Sequence, residues 1–298
     1  MKQIIDDSFI ALLESRDLRI ENPMNGMFGG NRRSRAYGSS AEFADFREYA
    51  PGDDLRRIDW NLYARFEKLF LKLFVDERQL HHKIYLDASA SMDWGEPAKS
   101  HIALKLAAAI GFLSVQAMDR VSFYAIHKRK CEDLCRTVMG REAFYRAANV
   151  LNNLDFYGDA DLGGALCGLE DPGYGNGISV IISDFLTDSD WKSGVDKLLF
   201  HKRQVCLIQV LSRDEITPAL SGKVLMLDSE SIDEDDSKNY KMEVTRSSIK
   251  AYEEAFMHHQ RDIRQFCRSR NVQLITVCSD ESIERILLQK ATEEGLIL

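Results

Sequence analysis

From residue 83 onward the apolar positions fall into two alternating rhythms. Runs of strand length, residues 83–87, 121–126, 178–183, 205–211 and 272–277, are rich in Ile, Val, Leu and Phe. Between them, residues 97–118, 142–153, 162–169, 190–201, 247–268 and 281–289 repeat apolar side chains every three or four positions, which predicts helices. Largely apolar strands alternating with amphipathic helices predict a mostly parallel sheet covered by helices. Residues 223–227 and 241–244 read as two short extra strands around an acidic connector, 228–236. The longest apolar stretch, 102–118, is interrupted by Lys105 and Gln116 and bounded by Pro97 and Asp119, so it reads as a core helix and not a membrane span.

Residues 1–80 differ in kind. Helical patterning at the start gives way to a Gly- and Arg-rich stretch, 29–40, and then to a dense block of charges and aromatics. The expected organisation is an N-terminal extension over 1–80 packed on an α/β domain over 81–298. A chain of 298 residues, 45% hydrophobic, has enough apolar material for a full core. The net charge of -8 argues against general nucleic-acid affinity, because binding phosphates needs a basic face. The basic run Asn31-Arg32-Arg33-Ser34-Arg35 lacks an aromatic stacking platform and reads as a solvated loop.

The first fourteen residues carry Asp6, Asp7 and Glu14 and no long apolar core, so neither a secretory signal nor a membrane anchor is expected there. The expectation is a cytoplasmic protein with no membrane insertion. Six irregularly spaced cysteines predict reduced thiols, and the close pair Cys131 and Cys135 lacks the second pair or nearby His of a zinc site. Gly173-Tyr-Gly175-Asn-Gly177 precedes a strand, which is the wrong context for a dinucleotide fingerprint, and reads as a turn.

The chemistry concentrates in three loops. Ile84-Tyr-Leu-Asp87-Ala-Ser89-Ala-Ser91 places one carboxylate and two hydroxyls on a loop leaving an apolar strand. Mg²⁺ prefers six hard oxygens, keeps some of its waters and is commonly held by one or two carboxylates plus neutral groups, which this set matches. Ligands of open parallel sheets sit at the carboxyl ends of strands, so neighbouring strand ends should complete the site. Ile181-Ile182-Ser183-Asp184 ends a second strand in an acid, and Gly158-Asp159-Ala160-Asp161-Leu162 brings two more carboxylates at the entry to a helix. Without an ion, the same Asp87 and Asp184 would act as strand-end caps, with Ser89 and Ser91 satisfying loop amides.

These three loops together resemble the metal-ion-dependent adhesion site of von Willebrand factor A domains, whose pattern is Asp-x-Ser-x-Ser, a later Gly-x-Thr-Asp-Leu and a late Ser-Asp. Upstream, Phe43-Ala-Asp-Phe-Arg47-Glu-Tyr49-Ala-Pro51-Gly52-Asp53-Asp54-Leu-Arg56-Arg-Ile58-Asp59-Trp60-Asn-Leu-Tyr-Ala64-Arg65 is similar to the signature block of the bacterial domain of unknown function 58 family. The resemblance implies a von Willebrand factor A-like, Rossmann-like α/β fold and a metal set of Asp87, Ser89, Ser91 and Asp184. Ala160 stands where the family has its threonine, and Asp159 or Asp161 is the candidate to reach in instead. The implied cofactor is Mg²⁺, with Mn²⁺ or Ca²⁺ as alternatives.

The same resemblance implies a non-enzymatic protein-interaction module, an adaptor or co-chaperone for a MoxR-type AAA+ ATPase. The chain has no Gly-x-x-x-x-Gly-Lys-Ser/Thr loop, so ATP hydrolysis would belong to that partner. Two other readings stand beside it. One is a Mg²⁺-dependent hydrolase of the phosphoesterase kind with Asp159 or Asp161 as general base, although none of the three loops supplies a Lys, Arg or His near the ion. The other is a metal-independent scaffold docking through residues 47–65. That block is expected to form two extended pieces around the turn Pro51-Gly52-Asp53, with Tyr49, Ile58 and Trp60 as packing residues and its arginines paired to neighbouring acids.

Overall fold

A computed structural model describes residues 4–19, 42–75, 79–173, 177–218, 222–226 and 240–297. The basic run 31–35, the centre of the glycine-rich turn (174–176) and the acidic connector 228–236 lie outside the described residues. The chain forms two compact units, residues 1–21 with 80–298, and residues 22–79.

The larger unit opens with α1 (Asp7–Glu14), whose N-cap Asp6 accepts a hydrogen bond from the Phe9 amide at 2.8 Å. Phe9 and Leu13 turn inward and join Ile4, Ile5 and Leu18 in the main core. Leu18 bridges Ile297, so this front segment is tied to the far end of the chain. The boundary expected at residue 80 therefore has a different shape, because the first helix belongs with the sheet and not with the block that follows it.

In the smaller unit β1 (Glu42–Glu48) pairs antiparallel with β2 (Phe70–Val75). Gly52, at φ +104°, makes the expected turn. The second extended piece expected after that turn is absent among the described residues. Instead Leu55–Arg57 forms a 3-10 turn and α2 (Trp60–Phe66) follows, started by Asp59, which accepts from the amides of Asn61 and Leu62. Asp59 is a strong N-cap residue, and that local bond outweighs the β preference of Ile58 and Trp60. Ile58 is buried as expected, but Trp60 is 63% exposed, with its ring edge-on to Tyr63. Arg47 pairs with Asp53 at 2.8 Å, and Lys72 with Asp59 at 3.1 Å.

The larger unit resumes with β3 (His81–Asp87), α3 (Lys99–Gln116), β4 (Arg120–His127), β5 (Lys130–Val138), α4 (Gly140–Asn152), α5 (Leu162–Cys167), β6 (Ile178–Ser183), α6 (Trp191–Phe200), β7 (Gln204–Leu211) and α7 (Arg213–Ile216). β8 (Gly222–Met226) pairs antiparallel with β9 (Tyr240–Val244), the two short strands expected, and α8 (Arg246–Arg270) leads to β10 (Gln273–Cys278). Among the described residues the main sheet runs β10-β7-β6-β3-β4-β5, parallel throughout except for the β4-β5 pair. This is the mostly parallel α/β sheet expected of a von Willebrand factor A-like domain.

Side chains alternate across the strands and so feed two cores. Ile84 and Leu86 face a layer made by α1, α3 and α4, while Tyr85 faces α5, α6 and α8. α3 is buried nearly all round, which explains its apolar sequence without a membrane. Among the described residues no helix is long and apolar enough to cross one. Gly163 fixes how closely α5 approaches the start of α6, because a Cβ there would lie 2.3 Å from the carbonyl oxygen of Asp190.

Leu13 is wholly enclosed. Leu13→Ala should cost about 2–5 kcal/mol of stability in a urea titration if α1 is part of this core. A loss within about 0.5 kcal/mol, as for a surface substitution, would detach the helix from it.

Candidate functional site

β3 is the central strand of the three that carry the site, with β4 and β6 parallel to it on either side. Parallel neighbours end at the same edge, so the loops after them meet. Asp87 ends β3 and is only 4% exposed. Its Oδ1 accepts from the Ser89 amide at 3.0 Å and the Ser89 hydroxyl at 2.6 Å, and its Oδ2 accepts from the Ser183 hydroxyl at 2.5 Å. All three donors are neutral. A 3-10 turn, Ala90–Asp93, then brings Ser91 Oγ to 3.0 Å from Ser89 Oγ. Asp87, Ser89 and Ser91 are thus drawn together as the sequence predicted, in a contiguous line of hard oxygens.

The third loop also lies where expected. Tyr157 donates its amide to the Ala88 carbonyl at 3.0 Å and Ala90 donates to the Gly158 carbonyl at 2.9 Å, which zips the segment before α5 to the loop after β3. Ala160 is bridged by backbone to Lys128, so the position is in place but supplies no side-chain oxygen. Asp159 points to solvent. Asp161 caps α5 through the Gly164 amide at 2.8 Å and pairs with Arg129 at 3.0 Å.

Asp184 arrives from β6 and is buried, but its carboxylate is already engaged. Oδ1 accepts from the Leu186 amide at 2.9 Å, and Oδ2 accepts from Lys99 Nζ at 2.6 Å. Lys99, in the first turn of α3, is 0% exposed and also donates to Glu215 Oε1 at 2.5 Å. A basic side chain therefore stands against Asp184, from outside the three loops. The three loops indeed supply none; a helix does. A signal existed in the sequence, since a cation in the first turn of an apolar helix opposes the helix dipole and needs a partner. The sequence did not say which acids would answer it. Phe185, immediately after Asp184, is buried with φ +55°, a left-handed conformation uncommon for a bulky residue.

With Asp184 engaged by Lys99, one carboxylate and two hydroxyls form the donor set, and among the described residues no three His, Cys, Asp or Glu side chains gather as a metal cluster. The set still fits a hard cation at Asp87, Ser89 and Ser91, because hydroxyls that donate their hydrogens inward leave lone pairs outward. Burial first, and the charge of Asp184 second, push the Asp87 carboxyl up to about 6, against the lowering effect of its hydrogen bonds. Lys99 is drawn down by burial, but Asp184 and Glu215 outweigh that and hold its ammonium above the ordinary lysine value.

The sign of the Asp87 shift gives a test. A folded value raised from 3.8 to about 6 means that stability from this group is complete below the unfolded value and falls as pH rises to about 6. Asp87→Asn removes that loss. In chelator, the variant should therefore gain on wild type by about 1–3 kcal/mol between pH 4 and pH 7 in parallel urea titrations. A difference that does not change with pH would refute the buried charge.

Comparison with known proteins places this geometry in context. An uncharacterized protein of Mycobacterium bovis is 28% identical over 234 residues, covering 76% of this chain and 73% of its own. An uncharacterized protein of Mycobacterium tuberculosis matches with the same figures. Similar solved structures include the von Willebrand factor A domain of SpRpn10, with a TM-score of 0.38, 11% identity and coverage of 70% of this chain and 92% of that one. They also include the manganese-loaded TRAP protein of Plasmodium vivax, with a TM-score of 0.34, 18% identity and coverage of 44% and 57%. The family model described as protein of unknown function DUF58 matches residues 45–262, which takes in all but the first two residues of the upstream signature block and all three loops of the site, and the chain belongs to that family.

Proposed function

We propose that this chain is a non-enzymatic protein-interaction module that presents the carboxyl-end loops of β3 and β6 to a partner, with a divalent cation at Asp87, Ser89 and Ser91. The observation that carries the reading is the buried Asp87 carboxylate, bonded by neutral donors and followed by two hydroxyls 3.0 Å apart. Mg²⁺, or Mn²⁺ or Ca²⁺ in its place, would supply an open coordination position for a carboxylate of the partner. Around that point Trp94 is 58% and Tyr157 50% exposed, large apolar side chains of the kind that anchor protein interfaces. Asp184 serves as a buried structural acid, and Asp159 and Asp161 lie outside the ligand set. The partner class, a MoxR-type AAA+ ATPase that the chain serves as adaptor or co-chaperone, rests on the family resemblance and on the absence of a phosphate-binding lysine loop in the sequence.

Lys99 strengthens the hydrolase alternative by one group, but its general base is lacking. Asp161 is committed to α5 and Arg129, and Asp159 is exposed. The metal-independent scaffold has an observation of its own in the exposed Leu55, Trp60, Tyr63 and Phe66 of the smaller unit.

Affinity capture from native cell extract separates these readings. A MoxR-type ATPase should be retained with Mg²⁺ and lost with chelator, and Asp87→Ala should reduce capture at least tenfold while Arg56→Ala and Trp60→Ala do not. Equal capture with chelator, combined with loss in Arg56→Ala or Trp60→Ala, would move the binding role to residues 47–65.

A further inference from the structure

The buried Lys99 is not used by the proposed interaction, and its placement is costly in two ways. Lysine is almost never fully buried unless paired, and an ammonium in the first turn of a helix faces the positive end of the helix dipole. Both costs are offset by two carboxylates at 2.6 and 2.5 Å. Glu215 is itself immobilised. Its Oε2 accepts from the Ser212 amide at 2.7 Å in a capping box, and its carbonyl accepts from the Tyr252 hydroxyl of α8 at 2.7 Å. Asp184 is fixed in turn by the Leu186 amide, and Gln209 donates to its carbonyl oxygen at 3.0 Å. The ammonium is therefore held rigidly beside the site.

We infer that Lys99 sets the cation affinity of the site, by keeping Asp184 out of the ligand set and by placing one fixed positive charge beside Asp184 at the same edge of the sheet. This rests on the reading of Asp87, Ser89 and Ser91 as a cation site. The lysine's two carboxylate contacts are Asp184 and Glu215, whereas Asp87 accepts from Ser89 and Ser183. Asp87 is left as the carboxylate open to a cation, which weakens the site compared with one that uses both aspartates. Like charges repel strongly where water is excluded, so the ammonium further lowers affinity for a divalent ion. A partner's carboxylate, arriving with the opposite sign, would restore it, so ion and partner bind with positive coupling.

Titration of the full chain with Mn²⁺, followed by loss of the free-ion electron paramagnetic resonance signal, tests this directly. Lys99→Met, which keeps most of the stem and removes the charge, should bind Mn²⁺ at least tenfold more tightly than wild type. Lys99→Gln, which removes the charge but keeps a two-hydrogen donor, covers the case in which methionine unfolds the chain. Adding Asp87→Asn to either variant should remove the gain. Tight binding by the variants with none by wild type alone would support the inference, with the native chain then holding the ion only together with a partner's carboxylate. Equal binding by wild type and variants would overturn the inference and leave the cation reading standing. No binding by any of them would overturn both.

Discussion

A carboxylate enclosed at the end of an inner strand is the interaction around which the larger unit is arranged. Charges of this kind cost several kcal/mol to bury unless their surroundings answer them. Here the answer comes from the strand's own continuation, through the Ser89 amide and hydroxyl, and from the adjacent strand, through Ser183. Because β3, β4 and β6 run parallel, those answering groups are brought to one edge by the sheet itself. The loop before α5 adds two backbone bonds to the same turn, so the site is shaped by main-chain geometry before any ligand arrives. Asp87 still remains an acid whose ionised form is disfavoured, which is the state a cation would relieve.

Lys99 extends this arrangement outward. It links the strand-end acid Asp184 to Glu215, and Glu215 is tied both to the start of α7 and, through Tyr252, to α8. His259 of α8 reaches the carbonyl of Phe185, the residue held in a left-handed conformation. Two separate contacts therefore connect α8 to the segment that positions Asp184. The segment that positions Asp184 is thus joined to a long helix by hydrogen-bonded groups.

Most of the sheet could be read from residue pattern because its inner strands are buried on both faces and carry unbroken apolar runs. Residues 178–183 form the strand expected, and the helices covering them fall within a few positions of their expected ends. β5 was not legible. It is an edge strand whose sequence Lys130–Val138 mixes charge and apolar residues, so neither alternation nor an apolar run marks it. α2 was misread because a single capping acid, Asp59, decides between helix and extended chain there. Within the site, Asp87, Ser89 and Ser91 were legible because all three lie on one loop. The engagement of Asp184 by Lys99 was not, since it joins residues 85 positions apart and depends on how deeply α3 is set against the sheet.

Hydrogen exchange of the chain, alone and mixed with a MoxR-type ATPase in the presence of Mg²⁺, tests most directly whether this edge of the sheet is the functional surface. The account predicts slowed exchange in residues 88–94, 157–161 and 185–189. Protection confined to residues 46–66, with those three segments unchanged, would contradict it.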